Sequence, residues 1–562
     1  MPRSTRIVPA VVLIVAGCHG GITGPSAAEV TSAGSAITAP GLLASIKDLS
    51  DDSMLGRAPG GPAEAKVVRY ITGQYQAIGL QPGNPDGSWT QNVDLLGFTA
   101  QPTASFAVHG RTIPLVNHRD YVAYSYRPVD TVNVDNSEIV FVGYGVVAPE
   151  YGWDDYKGVD VKGKTIVMLI NDPPVPDPKD STQLDSTMFR GKAMTYYGRW
   201  TYKYDIATQK GAAAAIIVHQ TIPAAYGWDV VDHSNSHENM DVRHADSNRT
   251  RVAVQSWLTY DKAKELFKAA GKDFDALERS ARSKDFHPVD LGATATFHLT
   301  NSIREVHSHN IVAKLEGSDP KLQNEYVIYS AHWDHLGIVE PIKGDSIANG
   351  AIDNASGVAG MLAIAKAYRS LGTKPRRSIL FIATTAEEKG LLGARYYAEN
   401  PLYPLNRTVA DFNIDGLNQW GRTSDVTVIG KGASTLEEVL DSVATAEHRT
   451  LSPDPESDKG FYYRADHFEF AKQGVPALFL DNGVHYLGKP DDYSKTKRDE
   501  YTNNDYHNVT DEVKPDWDLS GAVDDLGMFF QAGVRVADGP SWPTWHAGNE
   551  FKAIRDKMLG AH

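Results

Sequence analysis

Apolar residues recur at helical spacing between Gly41 and Leu80, as Leu42, Leu43, Ile46 and Leu49, then Val67, Val68, Tyr70, Ile71 and Tyr75. Positions three and four apart share one face of a helix, so this stretch predicts a helix pair ending near Gly79. From about Gln101 to Leu299 the pattern changes to short β-rich runs with turns between them, such as Ser137 to Gly143 and Thr165 to Ile170. A separate β-rich unit is expected there. Beyond Ser308 the pattern becomes strand, loop, helix, strand: Glu325 to Ala331, Gly357 to Leu371, Arg377 to Thr385 and Val409 to Ile414. That alternation predicts an α/β fold with a mostly parallel sheet covered by helices.

The first residues follow none of these patterns. Arg3 and Arg6 precede an apolar stretch from Ile7 to Gly17 that is too short to span a bilayer and fits a signal-peptide core. Val15-Ala16-Gly17-Cys18 resembles the bacterial lipobox, in which Cys18 is acylated and becomes the new N-terminus; the competing reading is an ordinary signal cut near Ala27 or Ala28. Residues 19–40, rich in Gly, Ser, Ala, Thr and Pro, are expected to be a flexible tether. The expected organisation is therefore a signal at 1–18, a tether at 19–40, a first part of the main domain at 41–100, an insert at 101–300, the rest of the main domain at 301–545 and a tail at 546–562.

Composition narrows the function classes. The 562 residues are 41% hydrophobic and 22% charged, near globular averages, which excludes disordered, collagenous and multi-span membrane chains. Lys+Arg 55 against Asp+Glu 70 gives a formal net charge of -15, and no long basic run occurs. Nucleic acid is thereby disfavoured as a partner, and contact with a membrane is expected only through the lipid anchor. The single cysteine excludes an internal disulfide and a cysteine-rich zinc site.

In a parallel sheet, ligands bind beyond the carboxyl ends of the strands. Three apolar runs here lead into polar residues: Tyr326 to Ala331 into His332-Trp333-Asp334-His335, Ser378 to Thr385 into Ala386-Glu387-Glu388, and Asp411 to Ile414 into Asp415-Gly416. Asp353-Asn-Ala-Ser-Gly357 opens the helix between the first two. Singly, these are a strand-end histidine, a solvated acidic pair, a helix cap and a turn. Together they place imidazole and carboxylates at one sheet edge, where they would repel or desolvate one another without a cation. Imidazole and carboxylate without thiolate suit zinc, with manganese or cobalt as substitutes. Two ions explain the carboxylate count better than one, and Asp353 is the natural bridge.

The chain resembles the two-zinc exopeptidases of the bacterial leucyl aminopeptidase and aminopeptidase Y type. The motifs occur in the family's order: His332-Trp-Asp334, Asp353-Asn-Ala-Ser-Gly357, Ala386-Glu-Glu-Lys-Gly-Leu-Leu-Gly-Ala394, Asp415, Ala465-Asp-His467-Phe468 and Asp505-Tyr-His507-Asn-Val-Thr-Asp511. This resemblance, over about residues 41–100 and 304–545, implies a zinc-exopeptidase fold of the phosphorylase/hydrolase type: a mostly parallel mixed sheet flanked by helices. It also implies that His332, Asp353 and Asp415 hold one zinc and that Asp353, Glu388 and His507 hold the other. Asp334 would orient His332. Glu387 would be the general base, taking a proton from the attacking water and passing it to the leaving amine. Asp466 and His467 match a family segment, and Tyr462 or Tyr463 would stabilise the oxyanion. His485 competes with His507 for the last ligand position and reads better as a pocket-wall or structural histidine. Asn354 stands where the family often has a second aspartate, a change expected to alter metal affinity slightly. The insert, through Asp160 to Val167 and Gln209 to Val218, resembles a protease-associated domain.

The expected activity is that of a secreted or lipid-anchored aminopeptidase acting on peptides in the cell envelope of a bacterium or outside it. A carboxypeptidase of the same family would need an arginine clamp, and none is evident in the sequence. A glutaminyl cyclase would use one zinc, and a receptor-like relative would have lost ligands, whereas all five are present.

Overall fold

The computed structural model describes residues 24–246 and 248–560. The expected signal at 1–18 and the acylation site Cys18 lie outside the described residues. Among those described, no helix is long and apolar enough to cross a membrane.

Two long strands organise the molecule. Thr90–Val108 and Val289–Leu315 pair antiparallel, from Thr90 opposite Ile311 to Val108 opposite Ala293. Both belong to one 16-stranded mixed sheet. On one side of Val289–Leu315 lie Ser378–Thr384, Tyr326–His332, Thr408–Asn413 and Ala477–Asp481, the last four mutually parallel. On the other lie Thr131–Phe141, Thr165–Leu169, Ala214–His219 and Val254–Thr259, again mutually parallel. The expected limits of the insert fall inside the long pair, where Gln101 stands opposite Thr300 and the sheet runs on without a break.

Each half buries its own core. One holds Phe106, Phe141, Trp257 and Phe297 among others from the insert. The second lies between the sheet and the helices Glu64–Ile78, Gly357–Ser370 and Ser520–Asp538, with Tyr75, Tyr329, Phe412 and Phe530 at its centre. The four parallel strands of this half are buried along nearly their whole length, which is why they read as unbroken apolar runs rather than as alternating ones. On the opposite face, Leu392–Glu399 and His467–Lys472 cover the sheet with Ala394, Tyr397 and Phe470.

One expectation needs correction. The described part of 19–40 is not a tether: Ala27–Gly34 is a helix, and Ala39–Leu49 begins inside the same stretch. Ser26 accepts the Glu29 N–H through Oγ while the Glu29 carboxylate accepts the Ser26 N–H at 2.8 Å, a reciprocal cap that satisfies two amides at the helix start. Ala33 and Ile37 are buried in the core of the second half. The tail is packed as well. Lys552–Met558 is helical, and the buried Arg555 donates from Nη2 to the Thr408 carbonyl at 2.7 Å.

Candidate active site

The carboxyl ends of three parallel strands lie level, with His332 opposite Thr384 and Ser330 opposite Asn413. Residues that follow these ends are therefore neighbours in space however far apart in the chain. His332 ends the first strand, Glu387 and Glu388 follow the second, and Asp415 follows the third.

Asp353 sits in the irregular turn Ala351–Ser356 that leads into the Gly357–Ser370 helix. The turn is held from both sides. The Asp511 carboxylate accepts the N–H of Ile352 at 3.1 Å and of Asp353 at 3.0 Å. The Asn354 amide donates to the Ile414 carbonyl at 2.9 Å while its oxygen accepts the N–H of Gly357 at 2.8 Å and of Gly416 at 3.0 Å. Asn354 thus joins the loop of Asp353 to the loop of Asp415 using both ends of its amide, which an aspartate could not do. Gly357 is required here, since a Cβ would stand 2.1 Å from Asn354 Oδ1.

The Asp353 carboxylate lies between two imidazoles. Its Oδ1 is 3.3 Å from His332 Nε2, and its Oδ2 is 3.3 Å from His507 Nε2. His332 Nε2 is also 3.2 Å from Asp415 Oδ1, and His507 Nε2 is 2.9 Å from Glu388 Oε2. His332 and Glu388 are buried, whereas the side chains of Asp415 and His507 are 22% and 38% exposed, so the cluster opens to solvent on their side.

Asp334 acts through two groups. Its backbone carbonyl accepts from His332 Nδ1 at 3.1 Å, which leaves Nε2 facing the carboxylates, while its carboxylate stands farther off, 3.8 Å from the same nitrogen. Asp334 Oδ1 accepts the N–H of Glu387 at 3.0 Å. The aspartate expected to orient the histidine therefore also fixes the backbone of the glutamate. Glu387 Oε2 lies 3.9 Å from His332 Nε2.

Electrostatics separate the adjacent glutamates. Burial, reinforced by Glu388, Asp415 and Asp466 and opposed by His332, raises the Glu387 carboxyl well above the usual range. Burial and Asp353 act the same way on Glu388, but His507 and His335 outweigh them and bring it to about 2. Glu387 is held basic and Glu388 anionic.

The remaining expected residues make no hydrogen bond or ion pair with the cluster, although Asp466 lies near enough to act on Glu387. Tyr462, Tyr463 and His467 form a small core with Phe468, Phe479 and Trp545. The Tyr463 hydroxyl donates to Glu550 at 2.7 Å, and the Tyr462 hydroxyl is buried without a partner. The His467 ring packs 4.6 Å from Tyr462, with both nitrogens unpartnered, and burial lowers its pKa to about 3. Asp466 accepts from the Thr384 hydroxyl. His485 is exposed, and its backbone N–H donates to Asp425 at 2.9 Å. A tyrosine that does lie at the cluster is Tyr506, whose ring stacks 3.9 Å from that of His507.

Two contributors had no assigned role in the sequence. His335 is fully buried, with Nδ1 2.5 Å from Glu388 Oε1. Arg57, buried behind the cluster, donates to the carbonyls of Trp333 and Gly350 at 2.8 Å and of Asn349 at 2.6 Å, bracing both loops. His335 stood beside a recognised motif in the chain; Arg57 carried no local signal.

The residues fit a metal centre on this geometry. His332, Asp353 and Asp415 form one group with ligand atoms within 4.8 Å of one another; Asp353 and Glu388 are met by His335 within the same limit, and His507 Nε2 lies 3.3 Å from Asp353 and 2.9 Å from Glu388. Residues 310–530 match the model of peptidase family M28. This stretch is an M28 peptidase domain. It contains every member of the cluster except Arg57.

Individual relatives are similar over part of the chain. A rat protein named aminopeptidase NAALADL1 is 29% identical over 209 residues, 36% of this chain and 25% of the relative. A probable zinc metalloprotease of Pyrenophora tritici-repentis is 36% identical over 105 residues, 19% of this chain and 23% of the relative. The chain thus spans about a quarter of the length of these relatives. Among solved structures, an aminopeptidase from Aneurinibacillus sp. strain AM-1 aligns over 91% of this chain and 97% of its own, with a TM-score of 0.46 and 20% identity.

Proposed function

We propose that the chain is a zinc-dependent aminopeptidase that uses two zinc ions to hydrolyse the first peptide bond of peptides. The observation that carries the reading is the Asp353 carboxylate between His332 and His507, with one oxygen 3.3 Å from each and with Asp415 and Glu388 alongside. His332, Asp353 and Asp415 would hold one ion, and Asp353, Glu388 and His507 the other. Bound zinc supplies Lewis-acid polarisation of the scissile carbonyl and acidifies water.

Glu387 takes a proton from the attacking water at its carboxylate and returns it to the leaving amine. Two features support this role: its carboxylate lies at the edge of the cluster rather than between imidazoles, and burial among carboxylates holds it basic. Asp334 keeps Glu387 in place through its backbone N–H, and His332 in the tautomer that presents Nε2. The exposed side near Asp415 and His507 is where a peptide would enter.

Export with acylation at Cys18, location in the cell envelope and a protease-associated character for the insert belong to the same proposal. The insert is joined to the peptidase half by the Met194 N–H donating to the Ser457 carbonyl at 3.0 Å and by an ion pair of 2.8 Å between Arg395 and Asp241. These contacts support a wall or lid role. Hydrolysis of aminoacyl chromogenic substrates with free and acetylated amines tests the activity. Free amines should be turned over and acetylated ones scarcely at all; equal turnover overturns the aminopeptidase assignment.

A further inference from the structure

His335 lies outside the expected ligand set, yet it is the most enclosed imidazole of the cluster. After the Tyr326–His332 strand the chain turns, and the His335 N–H donates to the Arg57 carbonyl at 3.3 Å. The ring then packs against Gly350, where a Cβ would stand 2.6 Å from its Cγ. Gly350 has a φ of +55, and the missing side chain is what makes room for the ring.

This fixed ring meets one oxygen of Glu388. His335 Nδ1 is 2.5 Å from Oε1, while His507 Nε2 is 2.9 Å from Oε2. The two imidazoles divide the carboxylate between them, with their rings 5.9 Å apart. They differ in freedom, since the His335 side chain is wholly buried and that of His507 is 38% exposed. His335 Nδ1 is 4.0 Å from Asp353 Oδ2, farther than the 3.3 Å of His507 Nε2, so it stands outside the pair of imidazoles that flank Asp353 and faces Glu388 as a hydrogen-bond donor. The other nitrogen, Nε2, is buried without a partner.

We propose that His335 is a positioning residue for the metal centre: its Nδ1–H holds Oε1 of Glu388 and so presents Oε2 to an ion shared with Asp353 and His507. This role rests on the two-zinc reading above. A carboxylate free to rotate would place either oxygen, or neither, at the ion; fixing one oxygen makes the other a preorganised ligand. Outer partners of this kind are worth about 10- to 100-fold in metal affinity.

The test is zinc titration of the chelated full chain by calorimetry, comparing wild type, His335→Leu and His335→Asn. The asparagine amide can offer an N–H near the Nδ1 position, whereas leucine fills space without a donor. Wild type should bind two zinc ions. His335→Leu should weaken one site about 10- to 100-fold and leave the other unchanged, and His335→Asn should recover most of the loss. Circular dichroism of the metal-free forms checks that the fold is kept; if leucine prevents folding, His335→Gln replaces it as the variant whose donor is displaced. Two sites of wild-type affinity in the donorless variant would overturn the proposal, as would an asparagine variant no better than it. Fewer than two ions in the wild type would instead overturn the two-zinc reading itself.

Discussion

Glu387 and Glu388 are adjacent in the chain and opposite in character. One is braced through its backbone by Asp334 and kept basic by burial and its carboxylate neighbours; the other is pinned between two imidazoles and kept anionic. Glu387→Gln should therefore retain both zinc ions while kcat falls roughly 10²- to 10⁴-fold, the usual worth of general acid-base catalysis. Glu388→Gln should lose zinc affinity. Metal analysis beside kinetics reads both, and the reverse pattern would exchange the two roles. Asn354 makes a second prediction at this scale. Asn354→Asp removes the donor to the Ile414 carbonyl and sets a carboxylate against it, so the variant should lose about 1–3 kcal/mol. A thermal melt of the metal-free protein measures this without interference from metal affinity, and an unchanged midpoint would show that the link between the two loops is dispensable.

Among the elements, the strand ends did most to make the site legible. His332, Glu387 and Asp415 follow three apolar runs in the chain, and a parallel sheet brings such ends level, so their convergence follows from pattern alone. Tyr462, Tyr463 and His467 neighbour a family motif in sequence, and the turn Phe461–Tyr463 with the short helix His467–Lys472 packs them into a small core. Arg57 reaches the cluster through tertiary packing, for which the chain offers no periodic signal, whereas Tyr506 comes with its chain neighbour His507. The segment 27–34 was misread. Its small residues resemble a linker in composition, but Ser26 and Glu29 are spaced for reciprocal capping, and helix packing then buries Ala33. Ala33→Glu should detach this helix and expose it to limited proteolysis near residues 27–37, whereas the parent chain resists cleavage there. Equal cleavage of both would restore the tether.

At the scale of the molecule, the cluster joins five separate segments of the chain, those of His332, Asp353, Glu387, Asp415 and His507, with Arg57 tying the N-terminal segment to them. Metal binding at such a junction favours the folded chain, because the unfolded chain has no preformed site. Exhaustive chelation should abolish activity and lower the melting temperature. At free zinc near 1,000 times Kd, a single site contributes about 4 kcal/mol. An unchanged melting temperature after complete metal removal would contradict that coupling.

The most direct test of the account is the number of zinc ions bound per chain by wild type and by Asp353→Asn after dialysis against buffered zinc. Asp353 stands 3.3 Å from His332 on one side and 3.3 Å from His507 on the other, so a bridging role ties both ions to one carboxylate. The account predicts two ions in the wild type and loss of both in the variant. A variant that still holds two, or a wild type that holds one, would contradict it.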